Sequence, residues 1–535
     1  MAGDPEQFVW FLRWMPFAIG HGLNPLLTDW IDYPAGVNLM WNTAVPLPAL
    51  LVAPVTLAAG PVLAYNVLVT AGIALTAWTG ELGASVFVRR RWTAIVAGLL
   101  TGFSPYMVAH ALGHLNLVIA FLPGIALYLL HDLLVARRLQ AWLAGGLLGL
   151  AAAAQLLTGE EIVAATLLVS VLGGALWLLG LRLERMFHVL HWRRTLVGLG
   201  SAAAVLFVLS AAPLAVQLLG PQRTLHATGA AIEGNDLAQF VAANSLQALP
   251  LFPLQLAQPF LSEQNAYLGL PLLLVLAAIG WRFRRLHVVR WLGLMALGVA
   301  ILSLGPHLFA GGRRLPGVLP WRALTPIPVA NDVLPNRLML FVYLLVGVLL
   351  ALALDRAFES GRARGLAVVA VVALALVPLV PSLAFPATRE VTPPYFLTQI
   401  QREVPAGAVL LVTPLAQPDA LLWQAQSGLW FRTPQGYARI PGCGGVDTDF
   451  TPASATSAAL AAPAPPGPAE VAEVRQELAY WRVREVVVGP GSPPAAAQVF
   501  TAITGAPGRE TGGVTVFSAA PQPPPGTPPS TLCRT

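Results

Sequence analysis

An α-helical polytopic membrane bundle with a small C-terminal α/β domain is the fold class that composition, apolar segmentation and arginine placement predict for this chain. Hydrophobic residues fill 56% of its 535 positions and charged residues only 10%, against about 25% charged in a soluble domain. Up to about Pro386 the chain holds ten long apolar stretches, and a hydrocarbon core about 30 Å thick asks for about 20 apolar residues per helical span. All 31 basic residues are arginine, clustered at Arg89–Arg91, Arg137–Arg138, Arg182/Arg185/Arg193/Arg194, Arg282/Arg284/Arg285/Arg290 and Arg356/Arg362/Arg364. Cytoplasmic ends of membrane helices collect such residues, so the clusters give orientation as well as number. They also account for the net charge of +6 without nucleic acid as a partner.

The first seven residues, Met-Ala-Gly-Asp-Pro-Glu-Gln, contain no basic n-region and no apolar run, so no signal peptide is read there. Residues 8–19 are aromatic and amphipathic, as in a helix lying in the membrane interface. A polar, turn-rich stretch from His21 to Asn42 carries Asp29 and Asp32. Residues 44–60 are apolar but short, with Pro46, Pro48 and Pro54. If this run spans, every later basic cluster faces outward. If it is a second interfacial helix, 16 arginines lie in inner loops against six outside (Arg13, Arg223, Arg313, Arg314, Arg322, Arg337), and this second reading is adopted.

The spans are then 62–88, 92–110, 117–136, 140–157, 162–181, 195–218, 266–281, 291–309, 337–354 and 365–385. Residue 1 starts outside, which asks for one further helix upstream. The divisions are a first outer loop (1–61), a transmembrane bundle (62–385), an extracytoplasmic α/β domain (386–519) and a proline-rich tail (520–535). In the α/β domain, 407–414, 484–490 and 513–519 read as short strands bounded by Gly and Pro. Residues 468–482 read as an amphipathic helix, and 452–468 as an Ala/Pro-rich linker. Cys443 and Cys533 both fall in this outer region, where pairing and two separate thiols remain alternatives.

Chemistry is sought among polar residues at the outer rim. Asp4 and Glu6 precede the first interfacial helix, where a carboxylate can act as a base on an acceptor hydroxyl or hold a divalent cation. Asp4 before Pro5 also suits a helix N-cap, and the two roles are compatible. Thr158-Gly159-Glu160-Glu161 joins two spans, so its acids are either functional or a solvated cap. His110 and His114 are four apart, as metal ligands on one helix face would be, but no neighbouring acid completes a set. Contact of His114 and Asn116 with a phosphate or sugar is the other reading. Glu81 lies inside a span with no partner evident in the sequence.

The 219–265 loop and its edge carry Arg223, His226, Glu233, Asp236, Glu263 and Tyr267. An arginine fork matches phosphate oxygens, which makes Arg223, Arg322 and Arg337 candidates for a lipid-linked phosphate. Arg337 begins a span, where snorkelling to the interface is the alternative. No phosphate-binding Walker loop, nucleophile elbow, HExxH or CxxC pair appears in the sequence.

Several stretches resemble the GT-C superfamily of membrane glycosyltransferases, near its actinobacterial-type, YfhO-like and mannosyl- or arabinosyltransferase-like groups. They are GDPEQFVWFLRW (3–14), NPLLTDWIDYPAGVNLMW (24–41), GPVLAYN (60–66), GFSPYMVAHALGHLNL (102–117), QLLTGEE (155–161), NDLAQFV (235–241) and AYLGLPLL (266–273). The resemblance implies a general base on the first outer loop, here Asp4 assisted by Glu6. It implies a polyprenyl-phosphate-sugar donor, an extracytoplasmic glycan, lipid or protein acceptor, and inversion at the anomeric carbon. It further implies help for the leaving phosphate from Arg223, Arg337, His114 or a divalent cation (Mg, Mn or Ca). Asn116, Glu160, Glu161 and Asp236, read from the polar residues themselves, are further substrate-binding candidates. The superfamily pattern has a membrane helix before this loop, which this chain lacks. Alternatives are a lipid-linked-sugar transporter or flippase, and a non-catalytic scaffold for envelope assembly.

Overall fold

The computed structural model describes residues 4–180, 191–224, 234–249, 260–327, 333–384, 391–415, 417–441, 447–449, 454–462 and 464–519. The chain forms two compact units: Met1–Val67 with Ala212–Thr228 and Thr388–Thr535, and Leu68–Ala211 with Gly229–Ala387.

The second unit is a helical bundle. Each of the ten expected spans carries helix, and seven stretches are long and apolar enough to cross a membrane: Pro61–Ser85, Arg91–His110, Leu115–Ala136, Glu160–Gly180, Trp192–Leu219, Pro335–Glu359 and Arg362–Leu379. The other three, Ala141–Leu156, Leu270–Arg282 and His287–Ser303, are shorter apolar helices. Arg91–His110 is broken near Phe103, where Ser104 caps a new turn by accepting from the Met107 N–H at 3.3 Å, with Pro105 next in line. At the centre stands Met339–Glu359, whose residues from Met339 to Asp355 are all buried. A helix apolar on every side is stable only when surrounded. It packs on Arg91–Gly102, where a Cβ on Gly347 would lie 2.9 Å from the Ala97 Cα.

The charged helix ends are tied to backbone. Asp355 accepts the N–H groups of Arg89 and Arg90, each at 3.1 Å, and the Arg90 guanidinium at 3.0 Å. Asp132 takes the N–H groups of Arg138 and Leu139, each at 3.1 Å. Glu81, without an evident partner in the sequence, meets Arg91 at 3.3 Å. Two arginine clusters thus contribute fixed contacts as well as charge.

The first unit joins the two chain ends. Helix Asp4–Gly20 buries Phe8, Val9, Trp10, Phe11, Leu12, Trp14, Met15 and Ala18. It packs against helices Pro46–Ala59 and Asp419–Gln426. Its aromatic face is covered by protein, and the Trp10 indole donates to Gln424 Oε1 at 2.5 Å. The following loop pairs with residues 433–439. Thr433 N–H donates to the Trp30 carbonyl at 2.9 Å, Tyr33 N–H to the Thr433 carbonyl at 3.1 Å, and Asn42 Nδ2 to the Arg439 carbonyl at 3.0 Å.

The C-terminal sheet has the order Val409–Thr413, Val483–Val488, Val514–Ser518, Arg509–Thr511, its first pair parallel and the others antiparallel. The three expected strands and the helix at Pro468–Tyr480 are present. Arg509–Thr511 and the helices Asp419–Gln426 and Ala496–Thr504 are additional. The stretch expected as a linker contains helix Ala455–Ala461. Alanines favour helix, and buried Glu477 holds its first turn by accepting Ala455 N–H at 2.7 Å and Thr456 N–H at 2.9 Å. The proline-rich tail and both cysteines lie outside the described residues.

Candidate functional site

In the bundle unit, four chain segments bring charge to one buried place. His110 ends helix Pro105–His110, and His114 follows one irregular turn later, with their Nδ1 atoms 3.3 Å apart. The turn Leu261–Glu263 supplies Glu263, whose Oε1 lies 3.9 Å from His114 Nε2. Helix Glu160–Gly180 carries Glu161 in its first turn, and Pro335–Leu338 supplies Asn336 and Arg337.

Arg337 bridges the two acids, Nη1 to Glu161 Oε2 at 2.6 Å and Nη2 to Glu263 Oε1 at 2.7 Å. Glu161 also accepts Leu334 N–H at 2.9 Å, and Glu263 accepts Asn336 Nδ2 at 2.7 Å. The snorkelling alternative for Arg337 does not hold, because its side chain is 15% exposed and turned into the protein. Burial opposes ionisation of Glu263, yet Arg337, followed by His110 and His114, outweighs it and holds this carboxyl below the usual carboxylate range.

Two carboxylates and one guanidinium leave this cluster one negative charge in excess when both imidazoles are neutral. Such an excess in a buried place favours a bound cation or a protonated imidazole. Ligand atoms of His110, His114 and Glu263 lie within 4.8 Å of one another. Two imidazoles with one carboxylate make a mixed nitrogen and oxygen donor set, which fits Zn2+ or Mn2+ better than Mg2+ or Ca2+. Glu263, 149 residues beyond His114 in the chain, is the acid that the local sequence around the histidines does not show.

Asn116 is buried nearby, where a Cβ on Gly159 would lie 3.0 Å from the Asn116 carbonyl oxygen. The loop after His114 therefore packs on the Thr158–Glu161 junction. Glu160 is partly exposed beside it. Asp236 is engaged elsewhere, its carboxylate accepting the N–H groups of Ala238 (2.8 Å), Gly311 (2.8 Å) and Gly312 (2.7 Å) and so pinning the hairpin of Leu308–Ala310 and Arg313–Leu315. Arg322 is exposed, and His226 and Glu233 lie outside the described residues.

A second group of acids belongs to the first unit. Asp4 opens helix Asp4–Gly20, with Glu6 in the same turn. The Tyr437 hydroxyl donates to Asp4 Oδ1 at 3.3 Å. Asp419, at the start of helix Asp419–Gln426, is a third acid in electrostatic reach. Burial pushes the Glu6 carboxyl up, and the negative charges of Asp419 and Asp4 add to the rise. Burial likewise raises Asp419. Arg223 is exposed in this unit, its Nη1 donating to the Leu218 carbonyl at 3.2 Å.

No family model and no curated protein matches the chain. Solved structures do. Arabinofuranosyltransferase AftD from mycobacteria superposes with a TM-score of 0.59 at 16% identity, over 97% of this chain and 38% of that one. A mutant form of AftD gives 0.57 at 16% identity, over 98% and 40%. An oligosaccharyltransferase from Archaeoglobus fulgidus gives 0.49 at 14% identity, over 91% and 65%. The chain has a GT-C-type fold. It spans 38% of the AftD chain.

Within this GT-C-type fold, Asp4, Glu6, His114, Glu161 and Arg337 stand among other polar groups, and Asn116 is buried against Gly159. Asp419 and Tyr437, more than 400 residues from Asp4, carry no local signal of such a role.

Proposed function

We propose that this chain is a membrane glycosyltransferase moving a sugar from a polyprenyl-phosphate donor to an extracytoplasmic acceptor: a cell-envelope glycan, a lipid or a protein. The buried cluster of His110, His114, Glu161, Glu263 and Arg337 is the observation that carries this reading. Breaking a glycosyl–phosphate bond leaves charge on a lipid phosphate, and that charge needs a positive group in a site removed from water. A divalent cation held by His110, His114 and Glu263 would supply it. Arg337 then acts by fixing Glu161 and Glu263 rather than by meeting the phosphate itself, and Asn116 and Glu160 line the same loops for the sugar. Arg223, exposed and with its second Nη uncommitted to that carbonyl contact, suits the approach of an anionic lipid headgroup.

Asp4 serves as the base. It takes the proton of the acceptor hydroxyl as the oxygen attacks the anomeric carbon, the bond from that carbon to the phosphate oxygen breaks, and the configuration inverts. Glu6, its carboxyl raised by burial, stands in the same helical turn as Asp4 and supports it.

Proteoliposomes containing the full chain and a panel of arabinofuranosyl, mannosyl and other polyprenyl-phosphate sugars test the proposal. Free polyprenyl phosphate should appear with one donor, fall on chelation and return with Zn2+ or Mn2+. A folded protein that releases none from any donor, or carries donor across the bilayer intact, would contradict it.

A further inference from the structure

Tyr437 touches the first helix at two points. Its hydroxyl donates to Asp4 Oδ1 at 3.3 Å, and its backbone carbonyl accepts from the Gln7 side-chain amide. Asp4 and Gln7 are three residues apart and so neighbours on one helix face. The bend carrying Tyr437, just before strand Arg439–Pro441, is itself fixed on both sides. The Gln435 carbonyl accepts Asp32 N–H at 3.3 Å, and Arg439 N–H donates to Asn42 Oδ1 at 2.5 Å. Gly436 brings the backbone against the first loop, since a Cβ there would lie 2.3 Å from Asp32 Oδ2. Tyr437 is half-buried, so its hydrogen bond to a carboxylate is only partly shared with water.

We infer that Tyr437 is the positioning residue for Asp4, a contribution of the C-terminal region to the base of the transfer reaction; this rests on the role given to Asp4 above. A donor on Oδ1 fixes the plane of the carboxylate, so that proton transfer from an acceptor hydroxyl meets a set orientation. The same donor stabilises the charged form beside Glu6 on its own helix, whose carboxylate repels it. Tyr65, from the helix that follows the first loop, lies in electrostatic reach of Asp4 as well.

The test reads Asp4 directly. A hydrophobic carbodiimide modifies protonated carboxyl groups, and tandem mass spectrometry separates the Asp4 adduct from that of Glu6. With the full chain in detergent, the pH midpoint of Asp4 labelling should rise by about half a unit to one unit in Tyr437→Phe, which keeps the ring and loses the donor. In the donor-lipid assay, kcat should fall about tenfold with KM little changed, and the acidic limb of the pH profile should move with the labelling midpoint. Gln7→Ala, which releases the second point of contact, should move the midpoint in the same direction by less, and it serves if Tyr437→Phe does not fold. An unchanged midpoint in a variant with wild-type thermal stability overturns the inference. Because labelling needs no substrate, its outcome is separate from whether Asp4 is the base at all.

Discussion

Arg337 stands largely buried between Glu161 and Glu263, and neither acid can lose it without being left charged in a mostly buried place. Removing one partner of a buried ion pair costs about 3–5 kcal/mol. Arg337→Met should therefore lower the melting temperature in detergent sharply, and adding Glu161→Gln should recover part of the loss. A melting curve that Arg337→Met leaves unmoved would refute the pairing. Glu263 gives the cluster a direction in pH. Its folded carboxyl sits below its unfolded value, so its stabilisation is fully present above about pH 4.5 and fades as the pH falls through the lower folded value.

Asp32 behaves in the opposite sense. It is 5% exposed, and burial pushes its carboxyl up to about 8. The folded state then holds a proton that the unfolded state has released between about pH 4 and 8, so stability falls as the pH rises through that window. Thermal scans across it should show a fall that Asp32→Asn flattens; parallel wild-type and variant curves would exclude this burial. Spacing in the sequence makes the His110–His114 pair visible but not Glu263, and it leaves Asp32 one polar residue among several in a turn-rich stretch. The surroundings of a buried charge are set by segments hundreds of residues away, which no local pattern encodes.

Helices are largely legible, because an apolar run long enough to span has few other structures open to it. Their ends are less so. His287–Ser303 stops before the expected 309, where Gly305 takes a φ of +72°, and the Ser104-Pro105 start signal divides a run that hydropathy alone reads as continuous. Contacts between helices are not legible from hydropathy at all. Helices Ala141–Leu156 and Trp192–Leu219 approach through small residues: a Cβ on Gly145 would lie 1.9 Å from the Gly198 carbonyl oxygen, and one on Gly149 2.3 Å from that of Ala202. Small residues four apart allow such backbone approach in membranes. Gly145→Val should force the pair apart at a cost of about 1–3 kcal/mol, while Gly174→Val, at a glycine with nothing within 4 Å, should be tolerated. Equal melting temperatures for the two variants would count against the close packing.

At the scale of the molecule, the first loop and the C-terminal region form one compact unit, although nearly the whole bundle sequence lies between them. Their union places Asp4 beside Tyr437 and Glu6 in electrostatic reach of Asp419, and it gives the Asp4–Gly20 helix a protein partner for its aromatic face. The apolar rhythm and the short strands can be read ahead of the structure; this pairing of chain ends cannot, since each end reads plausibly as an element on its own. The GT-C-type fold and the buried cluster together support the proposal of glycosyl transfer. Its most direct test is polyprenyl phosphate release by wild type and by Asp4→Asn, each reconstituted with the same donor and matched for thermal stability. The expected result is release by the wild type and a loss of at least about a hundredfold in the variant. Equal release by the two proteins would contradict it.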